Sequence, residues 1–547
     1  MERTQDAAAA EEAAAEPTAA IPEAGEGASP TTEERPMASR RRRAGRLTPE
    51  GWAGLVGAAA LVAVLVPLVL ISRYNHSYAD DWHYGVWAHL ALEDTGSVLA
   101  AIGAALEQVP KAWLEWQGTY TAIFVMALEP SVFGEGCYVI AAPLVMAVLV
   151  AGSLFFWHVV ACELLHGPKG TWVAVSCVTC ALQLLLQPSA VEGIFWYNSA
   201  SYYTGFHALM LVYFGLLLRA ACLGQGKAAR RASVWAGVVG ALLAGGNFVT
   251  VLVSVELSAA VLAVLFARRD EGMVRVLPGF CLLVLGAVVS MVAPGNSVRQ
   301  ATQFPDARLG VAQTVWQSSM AGFEWLARWS GGLVALGVLA LAPLLARIVA
   351  SPQARRWRWR LPGLVSVGSV ALFATSFTPT FFSMGNVGPG RVQNARFDLL
   401  VVLLVLNALW WCGWAAARRA SEAAESGTMA PSALSSCTAA ALSCALVGVC
   451  VLCALAVGAD SQTQPKLSSA SAAESLATGE AAEYDRQVWE RIELIESSGA
   501  DVEVPFYSAG PHVLFMGDVR DSMGNYINYR LAQWYRKDSI VGVNAVS

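Results

Sequence analysis

The chain has 547 residues, of which 56% are hydrophobic and only 14% are charged. A soluble domain carries roughly a quarter of its residues as Asp, Glu, Lys and Arg, so a chain of this length and composition cannot cover itself with a polar surface, and an ordinary soluble protein is excluded. The formal net charge of −5 is unevenly distributed along the chain, and no nucleic-acid partner is expected from it.

Residues 1–47 are predicted to form a disordered cytoplasmic leader with a basic end. Residues 1–36 combine nine Asp and Glu residues with Ala, Pro, Thr and Gly, and they have no apolar period that could build a core. The segment is too long and too acidic for a secretory signal peptide. Four consecutive arginines, Arg40 to Arg43, then precede the first apolar run together with Arg46.

Apolar runs of close to 20 residues are typical of membrane helices. About eleven such spans are expected, near residues 51–72, 138–165, 171–187, 204–223, 234–250, 252–267, 276–292, 331–350, 361–378, 398–417 and 433–457. The pair within 234–267 has room only for two short or broken helices, hinged at Gly245, Gly246 and Asn247. The stretch 97–130, which contains Trp113, Trp116 and Tyr120, is predicted to be interfacial or re-entrant.

The distribution of Lys and Arg predicts how the spans are oriented, because cytoplasmic loops of membrane proteins are enriched in these residues. With 97–130 kept out of the count of spans, the arginines before the first span fall on the same side as most other basic clusters, at residues 169, 227–231, 268–275, 355–360 and 418–419. We therefore expect a cytoplasmic N-terminus, an extracytoplasmic C-terminus, a location in the inner or plasma membrane, and outward loops at 73–137, 188–203, 293–330 and 379–397.

The fold class predicted for residues 48–458 is an all-α polytopic membrane domain, and residues 459–547 are predicted to form a small extracytoplasmic α+β domain. In the latter, residues 471–497 place apolar side chains on one stripe of a helix, at Leu476, Tyr484, Val488, Ile492 and Ile495. Strands are expected at 501–506, 513–516 and 540–543, with a helix over 521–535. A carbohydrate-binding module, a lid and a purely structural element all remain open.

The first outward loop carries the strongest candidate site, the adjacent carboxylates Asp80 and Asp81, followed by His83 and Tyr84. A carboxylate held at the membrane surface among aromatic rings is partly desolvated, which raises its pKa and makes it a better proton acceptor near neutral pH. Aromatic faces also suit sugar rings. The alternative is a solvated turn in which an Asp caps a helix.

Three further outward segments carry polar groups beside aromatic ones. They contain Glu192, Trp196 and Asn198; then Asn296 and Arg299 within Ala-Pro-Gly-Asn-Ser-Val-Arg; and then Arg391 and Arg396 at the start of a span. An arginine at headgroup depth can bind a phosphate bidentately. Arginines that only reach for lipid headgroups would give the same pattern.

Taken together, these motifs resemble an uncharacterised family of bacterial multi-pass membrane proteins. The resemblance rests on the acidic pair past the first span, the Trp-rich stretch at 113–116, Trp-Tyr-Asn at 196–198, A-P-G-N-x-x-R at 293–299 and an N-x-x-N-type helix in the tail, and it covers most of residues 50–545. That family is similar to the GT-C glycosyltransferases, which take a sugar from a polyprenyl-phosphate carrier on the outer face of the membrane.

The resemblance implies that Asp80 or Asp81 is the catalytic base or a metal ligand, with Mg²⁺ or Mn²⁺ as the metal in the second case. Which Asp is the base stays open. The expected substrate-binding residues are His83, Tyr84, Trp116, Glu192, Trp196, Asn198, Asn296, Arg299, Arg391 and Arg396. Because the chain lacks a W-W-D-type motif in its tail, transfer to peptide asparagine, as in the oligosaccharyltransferases, is not expected.

The resemblance implies a protein that contacts the lipid bilayer and transfers a sugar, on the outer face, from a polyprenyl-phosphate carrier to a cell-envelope glycan. The alternatives are a transporter or flippase of lipid-linked glycans or envelope precursors, and a non-catalytic scaffold. Ion-coupled transporters keep ionisable groups in the middle of the membrane, and Glu256 is the clearest such group in the predicted spans. The sequence has neither G-x-x-x-x-G-K-[ST] nor G-x-G-x-x-G, so a nucleotide-driven pump finds no support.

Overall fold

The protein is described by a computed structural model that covers residues 47–427, 434–463 and 466–544. The predicted leader lies outside the described residues except at its last position. The described chain is mostly helical, with one two-stranded sheet near the C-terminus.

The first eleven α-helices are α1 Pro49–Ile71, α2 Asp80–Thr95, α3 Val98–Glu115, α4 Tyr120–Ala127, α5 Ala141–His158, α6 Thr171–Leu185, α7 Tyr197–Ala200, α8 Phe206–Cys222, α9 Lys227–Ala244, α10 Phe248–Ala267 and α11 Gly272–Met291. The next ten are α12 Pro294–Gln303, α13 Val311–Trp329, α14 Gly332–Val349, α15 Pro362–Thr375, α16 Thr378–Met384, α17 Gly390–Glu425, α18 Ser436–Gly458, α19 Ser468–Thr478, α20 Glu480–Ser497 and α21 Tyr526–Trp534. The strands are β1 Asp501–Pro505 and β2 Ser539–Val543.

Shorter helical turns extend several of these helices. They have 3₁₀ geometry at Ser72–Tyr74, Pro130–Phe133, Glu135–Ile140 and Ala354–Arg356, and π geometry at Val159–Leu164, Val191–Phe195 and Ser201–Gly205. Two π segments flank α7, so the chain between α6 and α8 winds irregularly, and this stretch faces the site described below. π turns are rare and occur often at functional sites.

Within the described ranges, nine helical segments are long and apolar enough to cross a membrane. They are Pro49–Tyr74, Glu135–Leu164, Tyr197–Cys222, Phe248–Ala267, Gly272–Met291, Gly332–Val349, Pro362–Met384, Gly390–Glu425 and Ser436–Gly458. The chain is therefore a multi-pass membrane protein, as its composition predicts.

Two of the eleven predicted spans are not among these nine. Helix α6, in the predicted span 171–187, has only 15 residues, fewer than the roughly 20 that a bilayer requires. Helix α9, in the predicted span 234–250, begins with three basic residues, Lys227, Arg230 and Arg231, so it is not apolar along its whole length. The expectation of about eleven spans therefore exceeds what helix length and hydropathy support.

The predicted hinge within 234–267 is present. Helix α9 ends at Ala244, and α10 starts after Asn247, whose side chain accepts a hydrogen bond from the backbone N–H of Thr250 at 2.9 Å. A side chain at Gly246 would collide with the ring of Phe206, so only glycine fits at this break. The two helices have 18 and 20 residues, longer than the short pair that was predicted, because α9 starts earlier in the chain.

The stretch 97–130 forms α3 and α4, and neither helix is among the nine candidate spans. Helix α3 is amphipathic, with its buried positions on one side and an apolar exposed face made of Val98, Leu99, Leu106 and Leu114. A helix with such an exposed apolar face fits the interfacial position that was predicted.

The tail, residues 466–544, forms helices α19 to α21 and the parallel pair β1–β2, in which Asp501 lies opposite Ser539. Gly479, with φ of +80°, separates α19 from α20 within the single helix predicted at 471–497. The strand predicted at 513–516 is wrong. This segment is a turn, in which the N–H groups of Leu514 and Phe515 both donate to the carbonyl of Pro511, while Val513 packs inward.

The tail packs directly on the first loop and on α2. The rings of His89 and Trp534 are stacked, with centroids 4.0 Å apart and an interplanar angle of 8°. His76 is buried between two carboxylates, with Nδ1 3.0 Å from Glu135 and Nε2 2.9 Å from Asp485 of α20. Burial alone would lower the pKa of His76, but the hydrogen bonds to Asp485 and Glu135 prevail and raise it to about 9.

Candidate functional site

The acidic pair opens helix α2, and its two members point in different directions. Ala79, with φ of +49°, turns the chain sharply before the helix. Consecutive residues of an α-helix are rotated by about 100° from one another. As a result Asp81 is fully buried, whereas Asp80 is only half-buried.

Asp81 is surrounded by protein donors. Its carboxylate accepts hydrogen bonds from the phenol of Tyr138 at 2.6 Å, from the backbone N–H of Tyr78 at 3.0 Å, and from the backbone and side chain of Asn198 at 3.1 and 2.5 Å. Burial raises the pKa of Asp81 to about 7, although these hydrogen bonds act in the opposite direction. With both oxygens engaged, Asp81 joins the first loop to the irregular segment before α8.

Asp80 faces the tail. One of its oxygens accepts a hydrogen bond from the phenol of Tyr526, in α21, at 2.9 Å. Burial raises the pKa of Tyr526, and the negative charge of Asp80 raises it further. Asp80 has none of the buried protein donors that surround Asp81, so it is the more accessible carboxylate of the pair.

His83 lies one turn after Asp80 on the same side of α2. Its ring centroid is 4.7 Å from that of Tyr84 and 6.0 Å from that of Tyr526. Burial lowers the pKa of His83 to about 4; the positive charge of Arg530 adds to this effect, and Asp80 opposes it. The imidazole is therefore neutral at pH 7, and its buried Nδ1 has no hydrogen-bond partner among the described residues.

Tyr84 lies at the centre of the site. Its phenol oxygen accepts hydrogen bonds from Nε1 of Trp116 at 3.1 Å and from Nε2 of Gln117 at 3.5 Å. Burial raises the pKa of Tyr84 to about 12; Asp80 acts in the same direction, and Arg299 and Arg391 in the opposite one. These three charged groups come from distant parts of the chain, and each is close enough to act on the same phenol group.

Arg299 reaches the site from α12. Its Nη1 donates to Oε1 of Gln117, and its guanidinium lies 5.3 Å from the ring centroid of Trp116. Asn296, one turn earlier, accepts from the backbone N–H of Gly118 at 3.1 Å and donates to the carbonyl of Ser290 at 2.8 Å. Asn296 thus fixes α12 against the end of α3. Arg299 is the residue of α12 that brings a charge to the site around Tyr84.

Arg391 reaches the site from the first turn of α17. Its Nη1 lies 3.7 Å from a carboxylate oxygen of Glu192, and its guanidinium lies 5.2 Å from the ring centroid of Trp196. The indole of Trp196 donates in turn to the carbonyl of Tyr78 at 3.0 Å. Glu192 and Trp196 therefore position the arginine.

The structure does not bring Arg396 into the site around Tyr84. Its side chain is fully buried, and it donates to the carbonyl of Val387 at 2.6 Å and to the hydroxyl of Thr380 at 2.7 Å, while the guanidinium lies 4.0 Å from the ring centroid of Phe377. These bonds fasten the loop before α17 to the helix. Asn198 likewise contacts Asp81 and does not join the site around Tyr84.

Three residues of the site escaped the sequence analysis: Gln117, Tyr526 and Arg530. Asn525 and Asn528, the N-x-x-N pattern of the tail, mark the right helix. Asn525 caps α21 by accepting from the N–H of Ile527 at 2.9 Å, and Asn528 binds the carbonyl of Ile540 at 2.9 Å. The pattern indicates a well-fixed helix, but it does not show which of its side chains reach Asp80.

The residues present do not fit a divalent cation shared by the acidic pair. Such an ion needs several converging oxygen ligands, and both oxygens of Asp81 already accept hydrogen bonds from the protein. In the part of the chain that the structure describes, no three His, Cys, Asp or Glu side chains converge on one point. We therefore derive no step that passes through a metal.

Comparison of the sequence with protein-family models finds no match, and comparison with curated proteins finds none either.

Proposed function

We propose that the protein is a GT-C-type membrane glycosyltransferase that transfers a sugar from a polyprenyl-phosphate carrier to a cell-envelope glycan. The observation that carries the proposal is the group of charged and aromatic side chains at the start of α2, beyond the first candidate span. It presents one accessible carboxylate, Asp80, and two arginines, Arg299 and Arg391, around the buried ring of Tyr84. A base and two cations at one aromatic-lined site are the groups that such a transfer needs.

In the proposed reaction the acceptor hydroxyl oxygen attacks the anomeric carbon of the donor sugar. Asp80 accepts the hydroxyl proton as the new carbon–oxygen bond forms. The bond between the anomeric carbon and the phosphate oxygen breaks, and the lipid phosphate leaves with the bonding electrons. Arg299 and Arg391 stabilise the charge that develops on that phosphate, and in a site from which water is excluded such stabilisation is large.

Neutral His83 and the phenol of Tyr526 complete this arrangement. Tyr526 donates to Asp80 at 2.9 Å, which holds the carboxylate in one orientation until an acceptor hydroxyl replaces the phenol. Burial keeps His83 neutral at pH 7, so it adds no positive charge beside Asp80.

The direct test is the envelope glycan of a deletion strain. If the proposal is correct, deletion removes one sugar from that glycan, and a plasmid copy of the wild-type gene restores it. An unchanged glycan profile in the deletion strain would rule out the transferase function.

The proposed orientation places the site around Asp80 and Tyr84 on the outer face of the membrane. Because Lys and Arg favour cytoplasmic loops, reporter fusions after residues 230, 270, 356 and 420 should read as cytoplasmic. Fusions after 310, 388 and 470 should read as external. The cytoplasmic reading at 230 requires α6 to cross the membrane although it has only 15 residues, so an external reading there would overturn the assignment.

The two arginines are expected to govern the use of the donor. Arg299→Ala or Arg391→Ala should weaken use of a lipid-phosphate donor by about 2–5 kcal/mol, as is typical when one charged partner of a buried pair is removed, with a smaller effect on folding. The measurement is the rate at limiting donor concentration. Arg308→Ala is the matched control, because Arg308 lies over the ring of Phe382 instead. Wild-type rates for both Arg299→Ala and Arg391→Ala would show that neither arginine binds the phosphate.

A transporter of lipid-linked precursors is the second candidate, and one observation favours it. Asp398 and His207 are both fully buried within candidate membrane spans, where transporters often keep ionisable groups. Glu256, the residue the sequence singles out for this role, is only partly buried, and the hydroxyl of Thr375 donates to it at 2.6 Å.

Glu256→Gln is therefore expected to have a modest effect. The amide preserves the shape and one acceptor oxygen, so stability should fall by about 0.5–1.5 kcal/mol, the range for one hydrogen bond, and sugar transfer should not change. Thermal unfolding and the glycan assay measure the two effects. A folded variant that has lost all activity would favour the transporter.

A further inference from the structure

A cluster of fully buried polar side chains lies inside the membrane domain, between α5, α6, α8 and α17. It shares no residue with the candidate site around Tyr84. Nε2 of Gln183 donates to the backbone carbonyl of Asp398 at 3.1 Å and lies 3.1 Å from Nε2 of His207. Cys180 lies one turn before Gln183, beside Ser153 of α5 and near Asp398. These five residues form the intramembrane cluster.

The carboxyl group of Asp398 is the unexplained member of this cluster. Both of its oxygens are buried, and neither has a hydrogen-bond partner among the described residues. Arg396 lies only two positions earlier, but residues two apart face different sides of a helix, and its guanidinium is used by Val387 and Thr380. The elements packed around Asp398 contribute Cys180 and His207 as titratable groups.

An isolated ionised carboxylate in an apolar interior is so unfavourable that the group is neutralised, either by a proton or by a cation. A metal cation needs several converging ligands, and no such group of His, Cys, Asp or Glu exists in the described ranges. Oε1 of Gln183 is buried and also lacks a donor. A proton on the carboxyl group neutralises Asp398 without requiring a charged partner.

We propose that Asp398 is an intramembrane proton-binding site, whose carboxyl group carries a proton in the resting protein beside Gln183 and His207. The ligand is a proton taken from solvent, and the bond formed is the O–H bond of the acid. The proposal does not depend on the glycosyltransferase function. The proton-binding site and the candidate site share one helix, however, because Asp398 and Arg391 lie seven residues apart on α17, about 10 Å along the helix.

The test is infrared spectroscopy of the purified full-length protein, with all aspartate carboxyl groups labelled with carbon-13. At about pH 9 exposed carboxyl groups are ionised, and so is Asp81, whose pKa is about 7. We expect one carbonyl band of a protonated aspartic acid that shifts with the label and is lost in Asp398→Asn. Carboxylate bands alone, or a protonated band that survives in Asp398→Asn, would overturn the proposal.

Two further measurements separate the remaining outcomes. Glu256→Gln is the matched control, because it alters a carboxyl group in another candidate span, and it should leave the aspartic acid band unchanged. Replacing sodium with choline should also change nothing; a band that appears only without sodium would mean that a cation occupies the site. If Asp398→Asn fails to fold, Asp398→Glu serves instead: it keeps a carboxylic acid at this position, and because only aspartate carries the label, the labelled band should be lost.

Discussion

Asp80→Asn is expected to reduce the rate of sugar transfer by about 10²- to 10⁴-fold, the usual contribution of a general base. The amide keeps the size of the side chain and can still accept a hydrogen bond from Tyr526, but it cannot take the acceptor's proton. Because Asp80 is only half-buried and has one protein partner, folding should be nearly unchanged. The rate is measured with the purified protein or by complementing a deletion strain, with membrane levels checked.

Asp81→Asn is the matched comparison, since the two positions are adjacent and the chemical change is the same. The new amide group would direct N–H atoms at donors from Tyr78, Tyr138 or Asn198, so we expect a loss of stability of about 1–3 kcal/mol, as for a buried group left without its partner. Any loss of activity should follow the loss of folded protein. If Asp80→Asn expresses normally and restores the glycan fully, the catalytic assignment is wrong.

His76→Gln is expected to produce the largest loss of stability, about 3–5 kcal/mol, as when one partner of a buried ion pair is removed. The change leaves Glu135 and Asp485 without the cation between them, and it weakens the docking of the tail on the first loop. Thermal unfolding of the purified protein measures the loss. His512→Gln provides the control, because His512 is exposed.

The same histidine makes stability depend on pH in a defined direction. Its pKa is raised from 6.5 to about 9 in the folded protein, so its contribution is fully present below pH 6.5 and is lost as the pH rises through 9. The wild-type unfolding temperature should therefore fall between about pH 6.5 and 9, and His76→Gln should lack this component. An equal pH dependence in both proteins would show that the histidine does not carry it.

The membrane domain was largely predictable because its helices are specified locally, by apolar length and by breaks such as Gly246 and Asn247. Length also explains the errors. Helix α6 is apolar enough for a span but has only 15 residues, and α9 is long enough but begins with basic side chains. The turn at 513–516 reads as a strand because buried Val513 and Leu514 satisfy an apolar pattern whatever the backbone does.

The site was predictable in its residue types but not in its pairings. The motif around Asp80 and Asp81 indicates acid chemistry, but only the burial of one carboxylate distinguishes the two. Arg391 and Arg396 look equivalent in sequence, yet the second is used inside the protein. Tyr526 could not be assigned at all, because its contact with Asp80 depends on how the tail packs on α2.

The bond between Tyr526 and Asp80 joins positions separated by 446 residues, and this separation has a consequence for biogenesis. During synthesis the first loop is made early, but its partners in α20 and α21 emerge only after all nine candidate spans. Until then His76 lacks Asp485, and Asp80 lacks its cover. The first loop and the start of α2 therefore remain without these partners until the last part of the chain has been made.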